Sequence, residues 1–311
     1  MSAAEPLASA TVLRASGGVY DVELADGTVT EASLRGRLKL EQRTGDRVVA
    51  GDVVHVTRQA DGGVTIESVD PRTSELARRA PGRSRRAKII VANMDRVVIV
   101  FAAADPTPNR RLLDRFLVLT EANRLTPRIV LNKTELVGDD VAADFLKPYE
   151  DAGYETLRTS VNAGTNLDTL RDLLCGARSV VAGPSGVGKS SLLNTVQPGL
   201  GLRIGDVSES VGKGQHTTVT ALLIPLECGG YVADTPGLRE LGLWGVEADE
   251  LPDCFPEFAD LIGQCRFTRS CSHTHEPGCA VREGVEDGSV SRARYESYAV
   301  LRAEAQDAPK Y

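Results

Sequence analysis

No hydrophobic run in the sequence is long enough to span a bilayer: the longest clean one is Val97–Ala104, far short of the roughly 20 residues a spanning helix needs. The first residues, MSAAEPLASATVLRASG, lack the basic start and the apolar stretch of about 7–15 residues that make a secretory signal. The expectation is a cytoplasmic protein with no membrane association. In a reducing cytosol its six cysteines read as thiols or metal ligands rather than disulfides. An excess of positive charge is also missing. With 36 Lys and Arg against 43 Asp and Glu the net charge is −7, so any contact with nucleic acid has to rest on local clusters. Internal repeats and low-complexity tracts are absent. What remains is an ordinary globular balance, 41% hydrophobic and 25% charged over 311 residues, at a length that suits two or three domains.

The first 75 or so residues read as small β structure. Val19–Leu24 alternates, Asp26-Gly27 supplies a hairpin turn, and Thr28–Thr30 resumes. Two β-rich runs flank Ala50-Gly51-Asp52, and Asp61-Gly62-Gly63 turns into Val64–Ile66. An OB-like five-stranded barrel fits the length, although periodicity does not separate it from an SH3-like barrel. Residues 76–90 then carry Arg78, Arg79, Arg83, Arg85, Arg86 and Lys88 with no acid among them. This stretch reads either as a solvated linker or, together with Arg35, Arg37, Lys39, Arg43 and Arg47 of the barrel, as a surface that tracks RNA phosphates.

From Ile89 strands and helices alternate: strands at Arg96–Phe101, Arg128–Leu131, Tyr154–Thr159 and Ser179–Ala182, with helices at Asn109–Asn123, Asp140–Ala152 and Leu167–Leu174 between them. Such alternation implies a parallel sheet covered on both faces. Thr218–Leu226 and Tyr231–Asp234 read as two neighbouring strands. After Trp244 the chain is irregular, rich in Cys and His, and ends in a helix at Ser291–Ala305. The predicted division is a barrel (1–75), a basic linker (76–92), an α/β unit (93–245) and a C-terminal unit (246–311).

Gly183-Pro184-Ser185-Gly186-Val187-Gly188-Lys189-Ser190 matches G-x-x-x-x-G-K-[ST]. It follows a predicted strand, and Ser191 continues into a helix, as a phosphate loop requires. Its glycines let successive N–H groups face phosphate oxygens at a helix N-terminus. Lys189 is placed to reach the β- and γ-phosphates and Ser190 to ligate Mg²⁺. About 45 residues further on, Asp234-Thr-Pro-Gly237 ends an apolar strand, where an acid that holds Mg²⁺ is expected and Gly237 can offer its N–H to the γ-phosphate. Between the two lies Gly201–Thr218, polar and glycine-rich, the place for a segment whose Thr217 or Thr218 hydroxyl completes the Mg²⁺ shell.

Asn132-Lys133-Thr134-Glu135 closes another buried strand. It matches the guanine-reading N-K-x-D of GTPases with Glu in place of Asp, the same acceptor chemistry one methylene longer. Ser160 and Val161 follow the next strand, where GTPases carry a short loop facing the guanine carbonyl. The base-reading element therefore precedes the phosphate loop, a circular permutation of the usual order. Leu238, after D-x-x-G, cannot hydrogen-bond a water, and His216 reads either as the residue that positions that water or as one that only orders the 201–218 segment. Cys265, Cys271, His273 and Cys279, with His275 as the alternative imidazole, lie within fifteen residues and suit a closed, structural zinc site. Cys175, Cys228 and Cys254 read as isolated, buried thiols.

Taken together, these residues resemble the RsgA family of circularly permuted, ribosome small-subunit-dependent GTPases. The resemblance runs over nearly the whole chain and includes Gln215-His-Thr-Thr218, Asp234-Thr-Pro-Gly-Leu238, Glu276-Pro-Gly-Cys279 and a closing Arg-Tyr-Glu-Ser-Tyr298. It implies an OB fold, a GTPase and a helical zinc-binding domain in that order. It implies GTP hydrolysis stimulated by the 30S subunit during late maturation, with contact to 16S rRNA, by a monomer carrying one structural Zn²⁺ and using Mg²⁺ with GTP. It also points to His216, with Lys189, as the catalytic residues. Two features depart from the family: Glu135 stands for Asp, and five residues rather than the usual four separate Cys265 from Cys271. An ATP-using P-loop enzyme and a non-enzymatic RNA-binding assembly factor are the competing readings.

Overall fold

The structure, a computed structural model, describes residues 8–36, 38, 47–60, 62–79, 87–200, 221–234, 246–268 and 270–307. It opens with five strands, β1 (Ala8–Ser16), β2 (Val19–Leu24), β3 (Val29–Leu34), β4 (Val53–Arg58) and β5 (Val64–Val69). Their order is β1-β2-β3-β5-β4, closed by pairing of β1 with β4. All neighbours are antiparallel except β3 and β5. The alternation read from sequence sends Val12, Tyr20, Val22, Ala32, Val54, Val56 and Ile66 into one shared interior. Gly27 adopts a positive φ and the Asp26 carboxylate accepts the Thr28 N–H at 2.9 Å, which fixes the β2–β3 turn. Closure leaves this OB-like barrel no free edge within its own ladder.

The basic stretch is not a loose connection where it is described. β6 (Glu75–Arg79) pairs antiparallel with β7 (Ala87–Ala92), placing Arg78 opposite Lys88. Arg83, Arg85 and Arg86, like Arg37, Lys39 and Arg43, lie outside the described residues.

The central sheet contains β8 (Arg96–Ala102), β9 (Thr126–Asn132), β10 (Thr156–Arg158), β11 (Arg178–Ala182), β12 (Leu222–Pro225) and β13 (Tyr231–Asp234). Its order is β10-β9-β8-β11-β13-β12, and one bridge from Arg14 to Leu222 joins it to the barrel. The first five strands in that order run parallel and β12 runs antiparallel. Alternate residues of β8 serve opposite faces. Val97, Ile99 and Phe101 pack on α1 (Arg110–Ala122) and α2 (Asp139–Asp151), whereas Val98 and Val100 pack on α3 (Leu167–Leu174) and α4 (Lys189–Val196). Helix α1 begins where Asn109 caps the Leu112 N–H at 3.1 Å, and its Leu113, Phe116 and Leu117 recur at helical spacing on the buried face.

One sequence expectation is overturned here. Cys175 and Cys228 are not isolated thiols; they form a disulfide with Cα atoms 5.4 Å apart. The cause is topological: β11 and β13 are neighbours, so the end of α3 meets the β12–β13 turn, where Gly176 N–H donates to Gly229 C=O at 2.8 Å. Cys254 is a buried thiol as expected.

The C-terminal unit has little regular structure before α5 (Ala280–Asp287) and α6 (Arg292–Asp307). Phe255, Phe258 and Tyr298 form its aromatic centre. Arg294 of α6 is 1% exposed and pairs with Glu257 at 2.7 Å and with Asp114 of α1. This buried ion triad ties the unit to the central sheet's helices. Among the described residues no helix is long and apolar enough to cross a membrane.

Candidate functional site

Parallel strands place all their C-terminal ends at one edge of a sheet, and open α/β sheets bind ligands at that edge. Here β9 delivers Asn132–Glu135, β10 delivers Thr159–Val161 and β11 delivers Gly183–Gly188, while Asp234 closes β13 opposite Val181. Segments far apart in sequence thus become neighbours through strand order alone.

The loop from β11 to α4 needs its glycines. Gly183, Gly186 and Gly188 all have positive φ, between 81° and 136°. A Cβ on Gly183 would lie 2.1 Å from the Val100 carbonyl oxygen, and one on Gly188 would lie 2.4 Å from Asn132 Nδ2. Gly188 caps α4, so Lys189 and Ser190 occupy the helix's first turn and Ser190 is buried. The Lys189 ammonium donates to the carbonyls of Gly183 (2.7 Å) and Pro184 (2.6 Å). Such a loop offers backbone N–H groups, a helix N-terminus and a lysine in one place, a chemistry suited to phosphate.

Asn132 is the knot of the site. It is buried; its Nδ2 donates to Val187 C=O at 2.9 Å and its Oδ1 accepts from the Thr159 hydroxyl at 3.1 Å. One amide therefore bonds to both other loops. The Thr134 N–H and hydroxyl both donate to Thr159 C=O, at 3.2 and 3.1 Å. Lys133 takes a left-handed conformation and its ammonium donates to Asp105 C=O. Glu135 is exposed, with its Oε1 3.0 Å from Asn162 Nδ2. Partial burial pushes its carboxyl upward, but bonds from Ser160, its own backbone and Asn162, with Lys133 nearby, hold it below the usual range. Ser160 is fully buried and its Oγ accepts the Ala163 N–H at 2.9 Å. Val161 packs on the α3–α4 side of the sheet.

Sequence reasoning passed over the loop after β8. Pro106 sits 3.6 Å from where a Gly186 Cβ would be, and Asp105 receives Lys133, so residues 105–106 form a wall beside both loops. The Asn109 cap marks where that loop ends, but nothing local reveals what it faces. Gly201–Thr218 with His216, Thr217 and Thr218, and also Gly237 and Leu238, lie outside the described residues.

The second cluster brings Cys265, Cys271, His273 and Cys279 together, with all four ligand atoms within 4.8 Å of one another. His273 Nδ1 lies 3.4 Å from Cys265 Sγ and 3.5 Å from Cys279 Sγ. His275 stands apart from this group, exposed and bonded to Thr274 at 3.0 Å. Burial pushes the Cys271 thiol up to about 12, also raises Cys279, and holds His273 below its ordinary value. Three thiols and an imidazole crowded this closely, with Cys265, His273 and Cys279 buried, fit a cation that favours thiolate, and three sulfurs with one nitrogen suit a tetrahedral site. The surroundings orient the donors. Tyr295 donates to His273 C=O at 2.9 Å, Tyr298 to Ser272 C=O at 2.7 Å, and Glu276 accepts the Ser272 N–H at 2.8 Å. Glu276, Tyr295 and Tyr298 stand in motifs visible in the sequence, but their partners around the cluster are set by the fold.

A family model described as RsgA GTPase matches residues 69–244. A protein of Gemmatimonas aurantiaca called small ribosomal subunit biogenesis GTPase RsgA is 52% identical over 295 residues, 94% of this chain and 96% of the relative. The crystal structure of YjeQ from Thermotoga maritima superposes with a TM-score of 0.81 at 34% identity, covering 98% of this chain and 100% of that one. YloQ, described as a circularly permuted GTPase, superposes with a TM-score of 0.76 at 30% identity over 99% and 98% of the two chains.

Proposed function

The chain belongs to the RsgA GTPase family, and from that premise we propose that this GTP-hydrolysing enzyme acts in biogenesis of the small ribosomal subunit. It binds the 30S subunit through 16S rRNA, works as a cytoplasmic monomer, and hydrolyses GTP faster when the subunit is present. The observation that carries the reading is the Asn132 amide, which links the 183–190 loop to the 159–161 loop from the end of β9. A permuted chain thereby has one place for a purine and its phosphates.

In this reading the backbone of Gly183, Pro184, Ser185, Gly186, Val187, Gly188, Lys189, Ser190 and Ser191 cradles the phosphates. Lys189 leaves the Gly183 and Pro184 carbonyls to meet the β- and γ-oxygens. Asn132, Lys133, Glu135, Ser160 and Val161 surround the base, and Glu135 accepts the guanine edge N–H groups. Ser190, Asp234 and Thr217 or Thr218 would hold magnesium, which when bound would neutralise negative charge on the phosphates. Gly237 meets the γ-phosphate. His216 positions the attacking water, a task Leu238 cannot perform, and docking on the subunit brings His216 into place. Cys265, Cys271, His273 and Cys279 hold one structural zinc. The division at 1–75, 76–92, 93–245 and 246–311 belongs to the same reading, with Arg35, Arg37, Lys39, Arg43, Arg47 and the basic residues of 78–88 as the contacts to rRNA phosphates.

Phosphate release from GTP with and without 30S subunits tests this. We expect slow turnover alone, stimulation by the subunit that weakens steeply with salt, and loss of stimulation in His216→Ala with GTP binding retained. Turnover indifferent to the subunit contradicts the assigned role, and stimulation that survives in His216→Ala removes that residue from catalysis.

A further inference from the structure

Glu135 is one carbon longer than the aspartate of the usual guanine-reading motif, and the structure pairs it with a side chain that fits the extra length. Its Oε1 lies 3.0 Å from Asn162 Nδ2. An aspartate on the same backbone would withdraw its oxygens by up to about 1.5 Å, one carbon–carbon bond. That takes the contact beyond hydrogen-bond range.

Asn162 does not sit on a loose loop. Thr165 N–H donates to Ser160 C=O at 2.9 Å, Ser160 N–H returns to Thr165 C=O at 3.3 Å, and Ala163 N–H donates to Ser160 Oγ at 2.9 Å. Ser160 itself is fully buried, so the turn that carries Asn162 is anchored in the core. The other end of the pair is equally set: Thr134, next to Glu135, donates twice to Thr159 C=O. A longer carboxylate has an extra rotatable bond to fix, and each fixed side-chain bond costs entropy when a ligand has to order it. Asn162 supplies that ordering before any ligand arrives.

We propose that Asn162 is a specificity-determining positioning residue: it holds the Glu135 carboxylate so that both its oxygens meet a purine edge carrying a ring N–H and an exocyclic amino group. This rests on the base-reading function proposed above for Glu135. Guanine selectivity in this chain is then a property of the Glu135–Asn162 pair, and the bond is useful only to the longer acid.

The test measures dissociation constants of GDP, IDP and ADP by competition against a fluorescent GDP analogue, on the full chain. The variants are Asn162→Ala, Glu135→Asp and the double substitution, each checked for an unchanged melting temperature. IDP lacks the exocyclic amino group and can make only one of the two edge bonds. We expect Asn162→Ala to weaken GDP several-fold, up to about tenfold, the cost of ordering one side chain on binding, and IDP less, so that the GDP-to-IDP preference falls. In the Glu135→Asp background the same substitution should change nothing. Equal weakening of GDP and IDP, or an equal effect of Asn162→Ala in both backgrounds, overturns the proposal while leaving guanine recognition intact. A wild-type chain that does not distinguish GDP from ADP overturns the base-reading function itself, and this proposal with it.

Discussion

The nucleotide edge and the cysteine cluster solve the same problem, holding several side chains at fixed distances, by different means. The first takes residues from 132–135, 159–162 and 183–190 and relies on a packed parallel sheet to bring them together. The second takes four donors from 265–279, a stretch with no strand or helix among its described residues. In one a packed sheet fixes the side chains; in the other a short segment gathers four donors spaced so that a metal could complete it. That contrast explains why the chain order of the first can be permuted, since a sheet edge depends on strand adjacency and not on sequence order. It also makes the two centres fail differently.

The largest expected effect is at the cysteine cluster. Four donor atoms within 4.8 Å of one another in a unit with little regular structure are spaced for a cation to hold, and structural zinc contributes on the order of 10 kcal/mol to small metal-dependent folds. Cys265→Ser or a strong chelator should therefore unfold the 246–307 unit, read as loss of near-UV dichroism from Phe255, Phe258 and Tyr298, while GDP binding persists. Loss of both together would mean that the two centres form one cooperative unit.

The next effect falls on the link between them. Arg294 and its partners Asp114 and Glu257 are buried, and removing one member of a buried ion pair costs about 3–5 kcal/mol. Arg294→Met should lower urea stability by that order and loosen the C-terminal unit from α1, which limited proteolysis would detect as release of a fragment beginning near residue 246. Unchanged stability would mean the triad is replaceable by apolar packing.

A smaller effect belongs to the nucleotide unit alone. The Cys175–Cys228 bridge spans a separation of 53 residues, so a reductant should cost up to about 4 kcal/mol by loop-closure entropy. It should leave the cysteine cluster's metal content unchanged. Mass spectrometry of non-reduced peptides checks the bridge, and thermal melts with and without reductant check the cost.

What the sequence made legible follows the same divide. Local periodicity located β2, α3 and β13 at their observed bounds and β8, α1, β9, α2, β10, β11 and α6 to within a residue or two, because each packs a face whose spacing is written locally; β1, β6, β7 and α5 were not read as elements, and β3, β5 and β12 miss a bound by three or four residues. The phosphate loop and the Cys/His set were legible because the chemistry sits within a few residues of chain. Long-range pairings were not. The choice of an OB-like over an SH3-like barrel depends on closure of β1 on β4 and on the parallel β3–β5 contact. The Cys175–Cys228 bridge depends on β11 lying beside β13, and the bonds of Asn132 to Val187 and Thr159 depend on three strand ends meeting. The wall at Asp105–Pro106 and the buried Arg294 triad carry no local signature at all, since an arginine in a polar helix reads as solvent-facing until its partners on other elements are known.

A crystal structure of the chain with GDP and magnesium puts the single purine-and-phosphate pocket to the test. The prediction is a guanine edge within hydrogen-bond distance of both Glu135 carboxylate oxygens while the β-phosphate rests on the backbone of residues 186–190. A nucleotide whose phosphates occupy that loop but whose base turns away from Glu135 would contradict it.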